Sequence, residues 1–477
     1  MSGPAVPPDS PARKAPPMSS TSTGAAPGSA GPNEPAQRDN IVKVVFASLI
    51  GTAVEWYGFF LFGSAAALVF GEAFFGKVGG TEGTLYAFMT YALGFAARPL
   101  GGIVFGHYGD KVGRKKMLVV SLLMMGIGTF AIGLLPTYAT IGIAAPLLLI
   151  FCRLLQGFAV GGEWGGAVLM AAEHGEDHQR GFWSSWPQAG VALGNLLATG
   201  VLWVLAFVQS PEDFAAWGWR IPFLLSAVLV LIGLWVRLAI EESPVFKEAR
   251  AELEEKKETA GHMPLLEVIR KYPKEVFLAM GMRMAENISY YIFTVISITF
   301  LTTYAGTPDD KGLILEALLI GSVVHFFVIP AIGALSDRVG RRPLYLLGAV
   351  GVAIWTFGFF DLIATKDETK IVLAVIVGLV LHALMYSPQA AFFSELFGTT
   401  VRYTGASVGY QLASIFAGAL APIIALKLLG DDLANPDTFA VGVYVAIASV
   451  ITIVSVLLAK ETRATSLRHD RVVPEAH

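Results

Sequence analysis

Apolar runs long enough to cross a bilayer recur through most of this chain, and that recurrence leaves few folds open to it. A helix needs about 20 apolar residues to span ~30 Å of hydrocarbon. Such runs lie near 41–70, 84–108, 117–136, 143–171, 181–208, 220–240, 275–305, 312–335, 344–364, 371–394, 403–429 and 438–459. In lipid every backbone N–H and C=O must be satisfied internally, so only helices and closed barrels can span. The last runs are dense in Val and Ile, but no barrel-type alternation accompanies them. The expectation is an all-α integral membrane protein with twelve transmembrane helices. Only 15% of the 477 residues are charged, against roughly 25% for a soluble domain, so much of the surface must face something other than water.

Lysine and arginine placement orients the spans. With both termini and every second loop in the cytoplasm, that side holds 25 of the 34 Lys and Arg residues, the opposite side 6, and the spans themselves 3. Residues 1–39 are rich in Pro, Gly, Ser and Ala and cannot bury enough surface to offset ordering entropy, so a disordered cytoplasmic tail is expected there. The first apolar run is far longer than the ~7–15-residue core of a signal peptide. It spans. The charged stretch 241–274 reads as a cytoplasmic linker, lying on that face as a surface helix, between a six-helix half at 40–240 and another at 275–460, with a cytoplasmic tail at 461–477. The expected location is the cell (plasma) membrane, with the lipid bilayer as surroundings and a monomer as the working state.

Other classes fall away. Net charge is −3, leaving no basic field for nucleic acid. The single cysteine, Cys152, forbids an intrachain disulfide and reads as a small buried residue. No metal site, cofactor motif or enzyme signature is present: there is no His-Glu-x-x-His, no Walker-type loop and no Gly-x-Ser-x-Gly.

The two halves carry matching motifs. Gly106-His107-Tyr108-Gly109-Asp110-Lys111-Val112-Gly113-Arg114-Lys115-Lys116 follows the second span, and Gly333-Ala334-Leu335-Ser336-Asp337-Arg338-Val339-Gly340-Arg341-Arg342 follows the eighth. Glu173 precedes Arg180, and Glu395 precedes Arg402, by the same spacing. Two matches in the same order point to an internal duplication, as transporter folds often show.

The Gly-x-x-x-Asp-x-x-Gly-Arg-Arg/Lys loop resembles the hallmark of the major facilitator superfamily, and the resemblance covers about residues 41–460. Within it the chain is similar to the metabolite:proton symporters, which include proline/betaine, α-ketoglutarate, citrate and shikimate carriers. Gly51-Thr-Ala-Val-Glu55-Trp56-Tyr57-Gly58-Phe59, Arg98-Pro99-Leu100-Gly101-Gly102, the Arg153–Gly166 segment and Arg283-Met-Ala-Glu286-Asn287 carry that closer match. The resemblance implies a major-facilitator fold of two six-helix halves working by alternating access. It also supports a cytoplasmic gate in which Arg114, Arg180, Arg341 and Arg402 reach Asp110, Asp337, Glu173 and Glu395. Relatives commonly carry an aspartate where this chain has Gly58, so no proton role transfers to that position.

Six charged residues stand out away from the ends of the spans: Glu55, Arg98, Arg153, Glu163, Arg283 and Glu286. Buried intramembrane charge is costly and marks function by default. At ~1.5 Å per residue, all but Arg153 lie about 13–18 Å from the cytoplasmic ends, near mid-membrane. A guanidinium suits a substrate carboxylate, and a desolvated carboxylate suits a coupling proton. Arg98 and Arg283 are therefore the candidate substrate anchors, and Glu55, Glu286 and Glu163 the candidate proton carriers. Among the aromatics beside them, Trp56, Tyr57 and Tyr290 are candidate substrate contacts, since aromatic faces hold quaternary ammonium groups. His325 and His382 can join a proton path or serve as buried hydrogen-bonded residues.

The function expected is proton-coupled uptake of a small carboxylate-bearing solute. Three acids against three arginines favour a zwitterionic osmolyte such as proline or glycine betaine. An organic acid of the α-ketoglutarate, citrate or shikimate type is the alternative, and an exporter or a non-transporting sensor the alternative of another class.

Overall fold

Helices are the only way for runs this apolar to satisfy their backbones away from water, and the computed structural model of the protein is built from them. It describes residues 34–76, 81–112, 114–161, 177–239, 270–397 and 402–463, with isolated positions 3, 168, 171 and 268. The chain divides into a short N-terminal unit, Met1–Asn40, and one body, Ile41–His477. Most of the expected 1–39 tail, the 241–267 part of the expected linker and the 464–477 part of the C-terminal tail lie outside the described residues.

The spans are α1 (Glu34–Ala65, running on to Phe75), α2 (Glu82–Val112), α3 (Arg114–Leu134), α4 (Ala144–Val160), α5 (Arg180–Val208) and α6 (Arg220–Ala239). The second set is α7 (Pro273–Tyr291, running on to Ala305), α8 (Lys311–Val339), α9 (Arg341–Ala364), α10 (Glu368–Leu396), α11 (Arg402–Ala413, running on to Leu429) and α12 (Thr438–Leu458). Among the described residues, nine helices are long and apolar enough to cross a membrane, a bent pair at α6 supplies a tenth, and the shorter apolar helices Val119–Leu134 and Ala144–Val160 bring the set to twelve. The helix of α1 begins at Glu34, earlier than the apolar run and within the expected 1–39 tail; Pro35 falls in its first turn, where a missing N–H is tolerated.

Packing repeats with an offset of six helices. In the first half α2 packs on α4 and α3 on α6; in the second α8 packs on α10 and α9 on α12. The halves meet through α5 against α8 and α2 against α11, again a pair related by the same offset. Outward-facing side chains are apolar, with Phe207, Trp235, Phe277 and Ile354 all more than two-thirds exposed. Such a belt is what hydrocarbon solvates and water does not.

Glycine sets the α2–α4 distance. A Cβ on Gly157 would sit 1.9 Å from the Gly94 carbonyl oxygen, and one on Gly161 1.9 Å from that of Arg98. Close backbone approach of this kind drives helix association in lipid. Gly157→Ala therefore forces the two backbones apart, an overpacking cost of about 1–3 kcal/mol. The expected result is a lower melting temperature for the detergent-purified protein; an unchanged one would mean the seam tolerates a methyl group.

Three spans that surround the centre are not regular throughout. Wide π-helical turns interrupt α1 at Ala66–Phe70, α7 at Ile292–Ile296 and Phe300–Ala305, and α11 at Ser414–Ala419. Such turns frequently mark functional positions. Here one follows Tyr290 and Tyr291 directly, and another places Ser414 against Arg283.

Candidate functional site

A narrow cavity lies where the halves meet. Trp56 and Phe60 of α1 and Val191 of α5 form one wall; Arg283, Glu286, Asn287, Tyr290 and Tyr291 of α7, with His382 and Tyr386 of α10 and Tyr410 of α11, form the other. Span α7 supplies its charged face because residues three and four apart share one side of a helix.

Glu286 is the hub of that face. Its Oε2 accepts from Arg283 Nη1 at 3.2 Å and from Gln389 Nε2 at 3.3 Å, while Oε1 lies 3.1 Å from His382 Nε2. Arg283 also donates to Gln389 Oε1 at 3.0 Å and to Ser414 Oγ at 3.3 Å. With its side-chain oxygen turned towards Arg283, Asn287 accepts from Nε at 3.2 Å and from Nη2 at 3.1 Å. The Tyr410 ring covers the guanidinium carbon at 3.3 Å. Arg283 and Glu286 are 2% and 3% exposed. A buried pair satisfied on every side is held firmly, but each member depends on the other for its charge.

Two of the six intramembrane charges thus meet as the sequence anticipates. The others are arranged differently. Arg98 is 1% exposed and stands behind Trp56, with its guanidinium carbon 4.2 Å from the Phe59 ring centre, 4.5 Å from that of Phe95 and 5.1 Å from that of Trp56. Among the described residues none of its three side-chain nitrogens has a hydrogen-bond partner. Glu55 is buried and within electrostatic range of it. Arg153 is enclosed by Phe59, Phe62 and Tyr91 and donates to Gln156 Oε1 at 3.0 Å, which makes it part of the α2–α4 packing.

Trp56 and Tyr290 line the cavity, but Tyr57 does not. One residue along a helix is a 100° turn, and it carries Tyr57 to the α6 side, where its hydroxyl donates to the Pro222 carbonyl at 2.6 Å. Gly58 faces α3: a Cβ there would lie 2.5 Å from Thr129 Oγ1, so an aspartate would need the Thr129 side chain to give way. Glu163 lies outside the described residues.

Where α5 and α9 begin, a second charge cluster joins the halves. Glu395 accepts from Arg180 at 2.9 Å and from Arg341 at 3.2 Å, and Arg341 reaches Asp337 at 2.8 Å. Asp337 also accepts from the backbone N–H groups of Gly181 at 2.8 Å and Phe182 at 2.9 Å. A carboxylate from α8 thereby caps the N-terminus of α5, where unsatisfied donors and the helix dipole favour negative charge. Gly181 and Gly333 permit the approach, since a Cβ on either would fall 2.6 Å from the other's carbonyl oxygen. Thr462 donates its hydroxyl to Glu395, and Glu461 accepts from the backbone of Arg341 and Arg342. Burial pushes the Glu461 carboxyl up, but the N–H groups of Arg342, Arg341, Arg463 and Thr462 outweigh it and hold the group below the ordinary range. Of the other expected gate residues, Glu173 and the side chains of Asp110, Arg114 and Arg402 lie outside the described set.

Cross-half contacts also exist at the far face. Thr81 donates to Asp431 at 3.0 Å, and the Lys311 ammonium lies 4.4 Å from the Phe214 ring centre. The halves are drawn together at both ends of the cavity.

Comparison with known proteins agrees with this architecture. The family model for sugar (and other) transporters matches residues 43–470. The chain is 42% identical to the inner membrane metabolite transport protein YhjE of Escherichia coli, covering 89% of this chain and 95% of that protein. It is 38% identical to the shikimate transporter of the same organism (88% and 95% covered) and 33% identical to its proline/betaine transporter (89% and 85%). Among solved structures, the proton:xylose symporter XylE superposes with a TM-score of 0.68 at 16% identity, covering 89% of this chain and 97% of that one. Twelve spans in a six-helix repeat, a charged cavity between the halves and these similarities give one conclusion: the chain belongs to the sugar (and other) transporter family of the major facilitator superfamily and is a multi-pass membrane transporter, not an enzyme.

Proposed function

We propose that the protein is a proton symporter that takes up a small carboxylate-bearing solute by alternating access. The observation that carries this reading is Glu286, a buried carboxylate on the cavity wall shared between Arg283 and His382. While Glu286 is ionised, it occupies the guanidinium that a substrate carboxylate needs. Protonation removes that counter-charge and frees Arg283 to take the substrate in a bidentate grip. Proton and substrate then bind together or not at all. Glu55 and Glu163 are the alternative carriers. The positive-inside distribution supports placing both termini, and the Arg180–Glu395 cluster, on the cytoplasmic side of the cell membrane. There the cluster acts as the inner gate, and the carrier works as a monomer.

An organic acid of the shikimate type is the favoured substrate. Arg98 has no hydrogen-bond partner among the described residues behind the cavity wall, which favours an anion over a zwitterion, and the shikimate carrier is more similar than the proline/betaine carrier. The osmolyte reading rests on the aromatic lining, where Trp56, Tyr290 and Tyr386 can hold a quaternary ammonium.

Uptake of labelled shikimate and of labelled glycine betaine into proteoliposomes, with and without an inward proton gradient, decides between them. Gradient-driven shikimate accumulation is expected, with competition by α-ketoglutarate and citrate run alongside. Arg283→Lys should raise the KM about ten-fold or more, since lysine loses the paired hydrogen bonds. Betaine accumulation without shikimate uptake would establish the osmolyte reading, and uptake of either that ignores the gradient would remove symport.

A further inference from the structure

Behind the Glu286–His382 contact of the cavity wall stands a second histidine, bonded in line with it. His325 of α8 places Nε2 at 3.1 Å from His382 Nδ1, and His382 of α10 places Nε2 at 3.1 Å from Glu286 Oε1. Both rings are 1% exposed. The order of bonds determines the tautomers. An ionised carboxylate only accepts, so His382 Nε2 carries the hydrogen and His382 Nδ1 is the acceptor in the neutral ring. His325 Nε2 must then carry a hydrogen as well, which leaves His325 Nδ1 as the open end of the chain.

We propose that His325 and His382 are the proton wire that charges and discharges Glu286, a role that rests on the symport reading. A proton arriving on His325 Nδ1 sends the Nε2 hydrogen of that ring to His382 Nδ1. His382 in turn releases its Nε2 hydrogen to Glu286 Oε1. One proton enters, one reaches the carboxylate, both rings end neutral in the opposite tautomer, and no other bond changes. Discharge runs the same steps backwards.

The surroundings suit a wire more than a pair of structural rings. Tyr290 of α7 lies 4.8 Å from His382 and 6.0 Å from His325 between ring centres, and Tyr386 of α10 lies 5.1 Å from His382. Besides His382, the ionisable groups around Glu286 are Arg283 and Tyr290 of α7, Tyr386 of α10, Tyr410 of α11 and, through Gln389, Tyr345 of α9. No second carboxylate is bonded to the wire among the described residues. One turn before His325, Ser322 accepts from Asn195 of α5 at 3.0 Å, so polar groups continue from the outer end of the wire into the seam between the halves. His382 and Glu286 border the cavity, whereas His325 does not. His325 thus stands one residue removed from the solute cavity.

His325→Gln tests the wire without touching the cavity lining. Solute exchange between two loaded compartments needs no net movement of the proton, so the variant should exchange shikimate or glycine betaine at near wild-type rate. Its gradient-driven accumulation should fall about ten-fold or more, because a positioned histidine is typically worth at least that in proton transfer. His382→Gln should lose accumulation likewise. If the wild-type protein accumulates solute and His325→Gln does so equally, the wire is overturned while symport stands. If the wild type ignores the gradient, wire and symport fall together. Loss of exchange as well as accumulation in both His325→Gln and His325→Asn would make His325 a packing residue and overturn the proposal too.

Discussion

Glu286→Gln yields a carrier that exchanges solute but cannot concentrate it. Glutamine keeps the shape and hydrogen-bonding reach of the carboxyl group but carries neither charge nor a titrating proton. Arg283, at 3.2 Å from that carboxylate, is then permanently free of its counter-ion and binds substrate whatever the pH. One proton per solute under a gradient of one pH unit sustains an accumulation of about ten-fold, since 1.4 kcal/mol corresponds to a factor of ten. The wild-type protein should approach that ratio and the variant should stop at about one. Exchange should persist and lose its pH dependence. A variant that still concentrates solute would move the coupling role to Glu55 or Glu163.

Glu395→Gln acts on the opposite property, the hold between the halves. Arg180 comes from the first half and Arg341 from the second, and both meet this one carboxylate in a site with no solvent exposure. Removing one partner of a buried ion pair typically costs about 3–5 kcal/mol, because the remaining charge is left uncompensated. That cost falls only on the conformer in which Arg180 and Glu395 touch. The expected outcomes are a clear drop in melting temperature and a shift towards the state open on the side of this cluster. Cys152 is the chain's one cysteine and is buried, so a Cys152→Ser background permits reporter cysteines in the cavity. Labelling from the side of this cluster should rise by ten-fold or more, as a shift of even 1.4 kcal/mol would give about that factor. Unchanged labelling with unchanged stability would show that the cluster does not hold the gate.

Both predictions use residues that were visible in the sequence, but for different reasons. Arg283 and Glu286 sit three apart on a single helix, and helical geometry alone puts them on one face. Asp337 and Arg341 were marked by the repeated loop motif and Glu395 by the repeated Glu–Arg spacing, so their assembly into a charge cluster was foreseeable. The capping of α5 by Asp337 was not, since the acceptors of Gly181 and Phe182 come from a helix more than 150 positions away in the chain. The glycines did leave a trace: Gly181 follows Arg180, and Gly333 opens the second motif. Thr462 and Glu461 carried no signal beyond lying just past the last apolar run.

The histidines show the limit most clearly. Each sits alone in an apolar span, and neither spacing nor neighbours in sequence relates His325 to His382. Tyr57 shows the converse error, since its place beside Glu55 and Trp56 suggested the cavity while its own direction was towards α6.

The sequence by itself determined that the chain crosses a membrane twelve times, which loops gather positive charge, that two halves repeat, and which charged residues lie within the apolar spans. Those follow from transfer of side chains and backbone out of water, a cost each segment meets on its own. Only the tertiary structure decided which face of each helix meets which neighbour: that Glu286 finds His382, that Arg98 is sheathed by aromatic rings without a hydrogen-bond partner among the described residues, and that Gly58 packs against α3. In lipid the hydrophobic effect does not choose between helix rotations, so close packing at glycines and pairing of polar groups make that choice, and both depend on residues far apart in the chain.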